Sequence, residues 1–197
     1  MNILEAILLG IVQGITEWLP VSSSGHLVLL QNLFNIQQPV IFDILLHLGS
    51  LIVILIAFRK DIKQLIIGII NRDKTHLRFL LQLILATIPI GLVGFFLNDF
   101  IKSIFNSPKT VGFSLLFTSL LLFLSKYPNI KDKALSYKNT FIIGIFQAIA
   151  ILPGVSRSGS TISAGLMQGI NKEDSARFSF LMFIPAIIGA ALLELGN

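Results

Sequence analysis

Long apolar runs alternate along this chain with short polar breaks. Residues 40–58, 79–97, 111–124 and 178–195 are almost wholly apolar, each near the length a helix needs to cross hydrocarbon. Two further apolar stretches are interrupted in the middle by a Ser/Gly break. Residues 3–19 predict a helix too short and too polar to span comfortably, stopped at Pro20. Residues 22–25 read as a turn, and 25–34 as a short apolar helix capped by Ser24 or a neighbouring hydroxyl. Together they predict a re-entrant hairpin, which a membrane tolerates only where protein or a water-filled cavity covers the broken backbone. Three spans follow at about 41–58, 79–97 and 111–125, with an interfacial stretch at 62–70. A second hairpin at 141–169 and a last span at about 177–195 complete the pattern.

The two breaks are copies of one another, 134 residues apart. Val21, Ser22, Ser23, Ser24 and Gly25 return as Val155, Ser156, Arg157, Ser158 and Gly159. The same offset aligns Gly10 with Gly144, Gln13 with Gln147 and Ile15 with Ile149. Glu17, His26 and Arg157 are not repeated; Ile151, Ser160 and Ser23 stand in their places. Three crossings between the hairpins bring the second one in from the opposite face, so the repeat is of inverted topology. Copies of the second and third spans would fall beyond Asn197, which leaves the second repeat incomplete. The expected fold is thus an all-α polytopic membrane protein with an inverted-topology repeat and two re-entrant helical hairpins. It forms one transmembrane domain, 1–197, with repeat one at 1–130 and a truncated repeat two at 135–197.

Composition agrees with this class. Apolar residues make up 54% and charged residues 13%, which excludes an ordinary soluble domain. There is no cysteine, so disulfides and thiol catalysis are excluded as well. The N-terminal stretch lacks a basic start and carries Glu5, Gln13 and Glu17, unlike a cleaved signal peptide. The net charge of +5 is concentrated in two loops, with six Lys and Arg at 59–78 and four at 126–138. Only Lys102 and Lys109 lie between the second and third spans. The positive-inside rule then places the two basic loops in the cytoplasm. Basicity here reports topology and contact with anionic membrane lipids, and no nucleic-acid partner is expected.

Arg157 stands out because it sits in a break bounded by apolar arms. A guanidinium there is costly unless it meets an anion, and its planar donor fork suits phosphate. Around it the repeat supplies the hydroxyls of Ser22, Ser23, Ser24, Ser156, Ser158, Ser160 and Thr161. Gly25 and Gly159 allow close backbone approach, and two short-helix N-termini offer unpaired N–H groups. Glu17 and His26 exceed the needs of a receptor. A carboxylate beside a phosphate repels it unless a divalent cation bridges the two or the Glu acts as a base. Gln13, one turn before Glu17, shares its face and can help to hold a metal.

Plainer readings cover other positions. Gly10 and Gly14 have the spacing of helix-packing residues. His47 reads as structural, His76 as solvated, and Asp43 as either a cap or a cavity residue. Glu173 and Asp174 are first-turn charges, and Trp18 and Tyr127 interfacial anchors.

The segment GIVQGITEWLPVSSSGHLVLL resembles the first signature of the bacterial undecaprenyl-diphosphate phosphatases of the bacitracin-resistance type. Its (Glu/Gln)-x-x-x-Glu element falls on Gln13 and Glu17. LPGVSRSGSTI is similar to the second signature, Pro-Gly-x-Ser-Arg-Ser-Gly, and ARFSFLMFIPAI also follows the family. The resemblance implies a phosphatase of the bacterial cell membrane, dependent on a divalent metal such as Mg2+ or Ca2+. Its site would hold Ser23, Glu17, His26 and Arg157, with Glu17 and Gln13 toward the metal. It would cleave undecaprenyl diphosphate to the monophosphate, recycling the cell-wall lipid carrier and conferring bacitracin resistance. Ser23 is the preferred nucleophile and His26 the general acid or base, though those two roles can be exchanged. An inverted-repeat transporter or lipid flippase for an anionic substrate is the alternative. A homodimer is compatible with so small a membrane protein.

Overall fold

The computed structural model describes residues 2–36, 38, 40–105, 107–128 and 132–195. Among them are ten helices and no strand: α1 (Ile3–Thr16), α2 (Ser23–Leu33), α3 (Val40–Ala57), α4 (Arg59–Ile70) and α5 (Lys74–Phe96), then α6 (Asn98–Phe105), α7 (Pro108–Leu124), α8 (Tyr137–Ile149), α9 (Arg157–Met167) and α10 (Lys172–Leu195). The chain is an all-helical, multi-pass membrane protein. Helices α5 and α10 are long and apolar enough to cross a bilayer alone; α3 with α4, and α6 with α7, qualify only as bent pairs. The bend between α3 and α4 is 73°, as expected where an apolar span meets the basic start of an interfacial helix.

Short-range chemistry sets the helix ends. Asn2 and Glu5 form a reciprocal capping box on α1, which accounts for the early carboxylate. Asp73 caps α5 by accepting the Thr75 amide. That hydrogen bond, followed by the one from His76, holds the Asp73 carboxyl below its usual range. His76 is therefore partnered as well as solvated. Ser107 caps α7, with Pro108 in the first turn where a missing N–H is harmless. In the two breaks, Ser22 accepts from the Gly25 amide at 3.2 Å and Ser156 from Gly159 at 3.0 Å. The cap on α2 is thus Ser22 rather than Ser24, and the helix begins at Ser23, because Ser22 itself takes the turn with φ +65°. The 134-residue offset carries the start of α1 onto α8 and of α2 onto α9.

Packing follows the rules of a bilayer, where apolar surface gains little by leaving lipid. Helix α1 leaves Ile3, Leu4, Ile7, Ile11 and Ile15 exposed and buries Leu9 and Gln13. Close contact comes instead from small residues. A Cβ at Gly144 of α8 would lie 2.6 Å from the Ala86 carbonyl oxygen of α5. Phe178 and Met182 of α10 fill the core with Leu83, Ile143 and Ile170. Leu51 and Ile54 of α3 meet Phe183 and Ile187 of α10. Trp18 belongs to this second cluster, its ring 5.2 Å from that of Phe180. It is a packing residue between elements, although its sequence position suits an interfacial anchor.

Candidate active site

The breaks between α1 and α2 and between α8 and α9 come together. A Cβ at Gly25 would stand 2.9 Å from the Gly154 Cα, and Ser158 donates to the Leu19 carbonyl. Gly25 therefore has no room for a side chain. Its neighbours Ser22–Ser24 and Ser156–Ser158 line a cavity of about 270 Å³ between the N-termini of α2 and α9.

At the polar end of that cavity Glu17, just past the last turn of α1, is the hub. Its Oε1 accepts Arg157 Nη2 at 2.6 Å. Its Oε2 accepts Ser23 Oγ at 2.5 Å and Gln13 Nε2 at 3.1 Å. His47 Nε2 of α3 stands 3.7 Å from the same oxygen. The guanidinium is fixed twice more, by donation from Nη1 to the Ser179 carbonyl at 3.2 Å and by the Phe183 ring 4.1 Å beneath it. A buried acid and base paired this way, with further hydrogen bonds to each and an aromatic ring under the guanidinium, can persist in a low-dielectric interior. The hydroxyl of Ser23 is left on a carboxylate able to take its proton. Toward the other end the wall turns apolar, with Ile90 and Gly94 of α5 and Ala186, Ala190 and Leu193 of α10.

A family model described as Bacitracin resistance protein BacA matches residues 6–197. The chain belongs to that family. This BacA-family chain is 44% identical over 195 residues to an "Undecaprenyl-diphosphatase" of Methanococcus vannielii, covering 98% of the chain and 78% of the relative. It is 46% identical over 199 residues to one of Halothermothrix orenii, covering 99% and 75%. A third relative of the same name, from Carboxydothermus hydrogenoformans, is 46% identical over 200 residues, covering 99% and 74%.

In this BacA-family fold the residues singled out in the sequence divide into two groups. Glu17, Ser22, Ser23, Ser24, Ser156, Arg157 and Ser158 line the cavity, and Gln13 reaches it through Glu17. His26, Gly25, Gly159, Ser160 and Thr161 are not on its wall. The His26 ring bonds the Ser22 carbonyl oxygen through Nδ1 at 2.8 Å, and so secures the turn behind Ser23. Thr161 bonds the Arg157 carbonyl and the Ser179 hydroxyl, tying α9 to α10. Three further wall residues were read as structural, left open between cap and cavity, or passed over. His47 reads as structural, yet it faces Glu17. Asp43 is buried, with Oδ1 accepting Gln31 and Gln38 side-chain amides, and lies on the wall. Lys102 reads as an ordinary loop charge. A signal for the first two exists, since Asp43, His47 and Ser50 are spaced as one stripe of an otherwise apolar span. Ser50 accepts Gln13 Nε2 at 3.3 Å.

The donor set can be tested against a divalent cation. Gln13 Oε1 is buried without a hydrogen-bond partner, while its Nε2 faces the Glu17 carboxylate. No group of three His, Cys, Asp or Glu residues converges among the described residues. With Glu17 and Gln13 as the oxygen-bearing side chains here, a hard cation would have to take most of its shell from phosphate oxygens and water.

Proposed function

We propose that this chain is an undecaprenyl-diphosphate phosphatase in which Ser23 attacks the terminal phosphorus of the lipid diphosphate. The observation that carries this reading is the 2.5 Å hydrogen bond from Ser23 Oγ to Glu17, on the wall of a cavity that also presents Arg157. The name borne by the relatives supports the same activity and not the transporter alternative, which needs binding groups but no hydroxyl poised on a base.

The substrate enters with its diphosphate at the polar end and its isoprenoid chain along the apolar wall. Glu17 accepts the Ser23 proton as Oγ bonds to phosphorus. The bond to the bridging oxygen breaks, lipid monophosphate departs, and water then hydrolyses the phosphoserine. Arg157 and the amides at the start of α2 and α9 neutralise charge developing on the phosphoryl oxygens. A divalent cation, held by Glu17 and Gln13 Oε1, would add Lewis-acid polarisation of the terminal phosphate. Mg2+ or Ca2+ suits these oxygen donors. His26 acts from behind the turn, or as the acid for the departing oxygen once substrate has seated. Purified protein in detergent should release inorganic phosphate from undecaprenyl diphosphate, faster with Mg2+ or Ca2+ than with chelator. Binding without release would sink the hydrolytic reading.

The topology proposed with this function is an inverted repeat in a bacterial inner membrane, the two hairpins dipping in from opposite faces. Matching caps and matching helix starts support it. The absence of native cysteine makes it testable. Single cysteines at Arg72 and Lys138 should react with an impermeant label from the cytoplasmic face, and one at Lys109 from the other. Labelling of all three from one face would refute the inversion.

A further inference from the structure

His47 lies on the cavity wall with a side chain that is 20% exposed, and the chemistry assigned so far makes no use of it. Its Nδ1 bonds the Asp43 carbonyl oxygen, one turn back on α3, at 2.7 Å. A carbonyl oxygen can only accept, so Nδ1 carries the hydrogen and Nε2 of the neutral ring holds the lone pair. That nitrogen stands 3.7 Å from Glu17 Oε2, the same oxygen that accepts Ser23 Oγ at 2.5 Å. At 3.7 Å it is beyond hydrogen-bond length, and among the described residues Nε2 has no hydrogen-bond donor. An open acceptor therefore sits beside the carboxylate oxygen that touches Ser23.

The two half-reactions of a phosphoserine route make opposite demands on Glu17. In the first it accepts the Ser23 proton as Oγ bonds to phosphorus. In the second Oγ is the leaving group, and Glu17 returns that proton as the P–Oγ bond breaks. Glu17 is then a donor, and the attacking water needs a different acceptor. Without one, nothing aims the water's lone pair at phosphorus. Asp43, the other acid on the wall, has Oδ1 committed to the Gln31 and Gln38 amides. The Ser22 and Ser24 hydroxyls bond one another at 3.3 Å. His47 Nε2 is open, and it adjoins the oxygen that serves Ser23.

We propose that His47 positions the water that hydrolyses the phosphoserine, by accepting a hydrogen bond from it at Nε2. This rests on the phosphatase reading with Ser23 as the nucleophile. The water oxygen bonds to phosphorus, the P–Oγ bond breaks, and Oγ takes its proton back from Glu17. Both water hydrogens leave with inorganic phosphate, so the imidazole gains no net proton. His47 is a positioning residue here, acting through the water and not on the lipid diphosphate. Its effect is confined to the second half-reaction.

Rapid acid quench with terminally labelled undecaprenyl diphosphate, on the full chain in detergent, separates the two half-reactions. In His47→Leu, phosphoserine should form within about threefold of the wild-type rate but be hydrolysed about a hundredfold more slowly, the cost of a misplaced reactant. Labelled protein then accumulates, and kcat and KM fall together while kcat/KM stays near the wild-type value. His47→Gln, whose side-chain oxygen can accept the same hydrogen bond, should restore most of the lost hydrolysis. Thermal unfolding checks that both variants fold, and the Gln variant keeps a polar group beside Glu17. A folded Leu variant that slows both half-reactions alike, or accumulates no more phosphoserine than wild type, overturns the assignment. So does a Gln variant as slow in hydrolysis as the Leu variant. Phosphate release by the wild-type protein with no phosphoserine trapped would instead overturn the Ser23 reading, and this inference with it.

Discussion

Replacing Ser23 by alanine lowers phosphate release from undecaprenyl diphosphate by at least about a thousandfold, while the protein folds and still binds the lipid. The expectation follows from position. Ser23 is the first residue of α2, but the cap on that helix is Ser22, so alanine at 23 removes a hydroxyl without removing the cap. Glu17 keeps its Arg157 and Gln13 partners, so the buried pair survives. What disappears is the oxygen proposed to bond to phosphorus. Acid quench of the wild-type enzyme during turnover of terminally labelled substrate should trap acid-stable phosphoserine. Near-normal release by folded Ser23→Ala would transfer the nucleophile's role to His26, whose phosphoramidate would be acid-labile.

The second large effect concerns the pair formed by Glu17 and Arg157. Arg157→Met leaves a carboxylate in a low-dielectric pocket without its guanidinium, with His47 3.7 Å away as the nearest basic group, which costs about 3 kcal/mol of stability or more. Glu17→Gln strands the guanidinium in the same way. The double replacement should be more stable than the sum of the single effects predicts, because neither charge is then orphaned. Thermal unfolding in detergent measures this, and simple additivity would show that the pair is not coupled. Activity separates charge from shape. Arg157→Lys keeps the charge but loses the planar fork that reaches Glu17 and the Ser179 carbonyl together, so release should fall by about a hundredfold or more. A Lys variant with wild-type turnover would mean that charge alone suffices.

Much of the fold was legible because its causes are local. The apolar runs and the hydroxyls of the first Ser/Gly break each act within one helical turn, and the helices begin near where those signals lie. Helix α6 escaped notice because eight residues are too few for a periodic apolar face to differ from a loop. Residues 129–131, part of the second basic loop, lie outside the described residues. At the site, Glu17, Ser23 and Arg157 were legible as chemistry out of place in apolar sequence. Their relation was not. Arg157 was read as a phosphate ligand, and the structure adds that its standing partner is a carboxylate 140 residues away. His47 was passed over because a lone histidine in an apolar span is usually structural, and only Glu17 across the helix interface changes that reading.

By itself the sequence determined that this is a multi-pass helical membrane protein with a doubled Ser/Gly break, and it singled out polar side chains set in apolar surroundings. Hydropathy, capping and residue type are properties of short segments, and they survive being read one after another. The tertiary structure alone decided that Glu17 joins Ser23 to Arg157, that His26 stands behind the turn while His47 faces the cavity, and that Lys102 lies on its wall. Those facts depend on the packing of α3, α6 and α10 around the two breaks. Distance and direction between helices are set there by side-chain volume, with Phe183 under the guanidinium and Gly25 against Gly154, and no spacing along the chain encodes them.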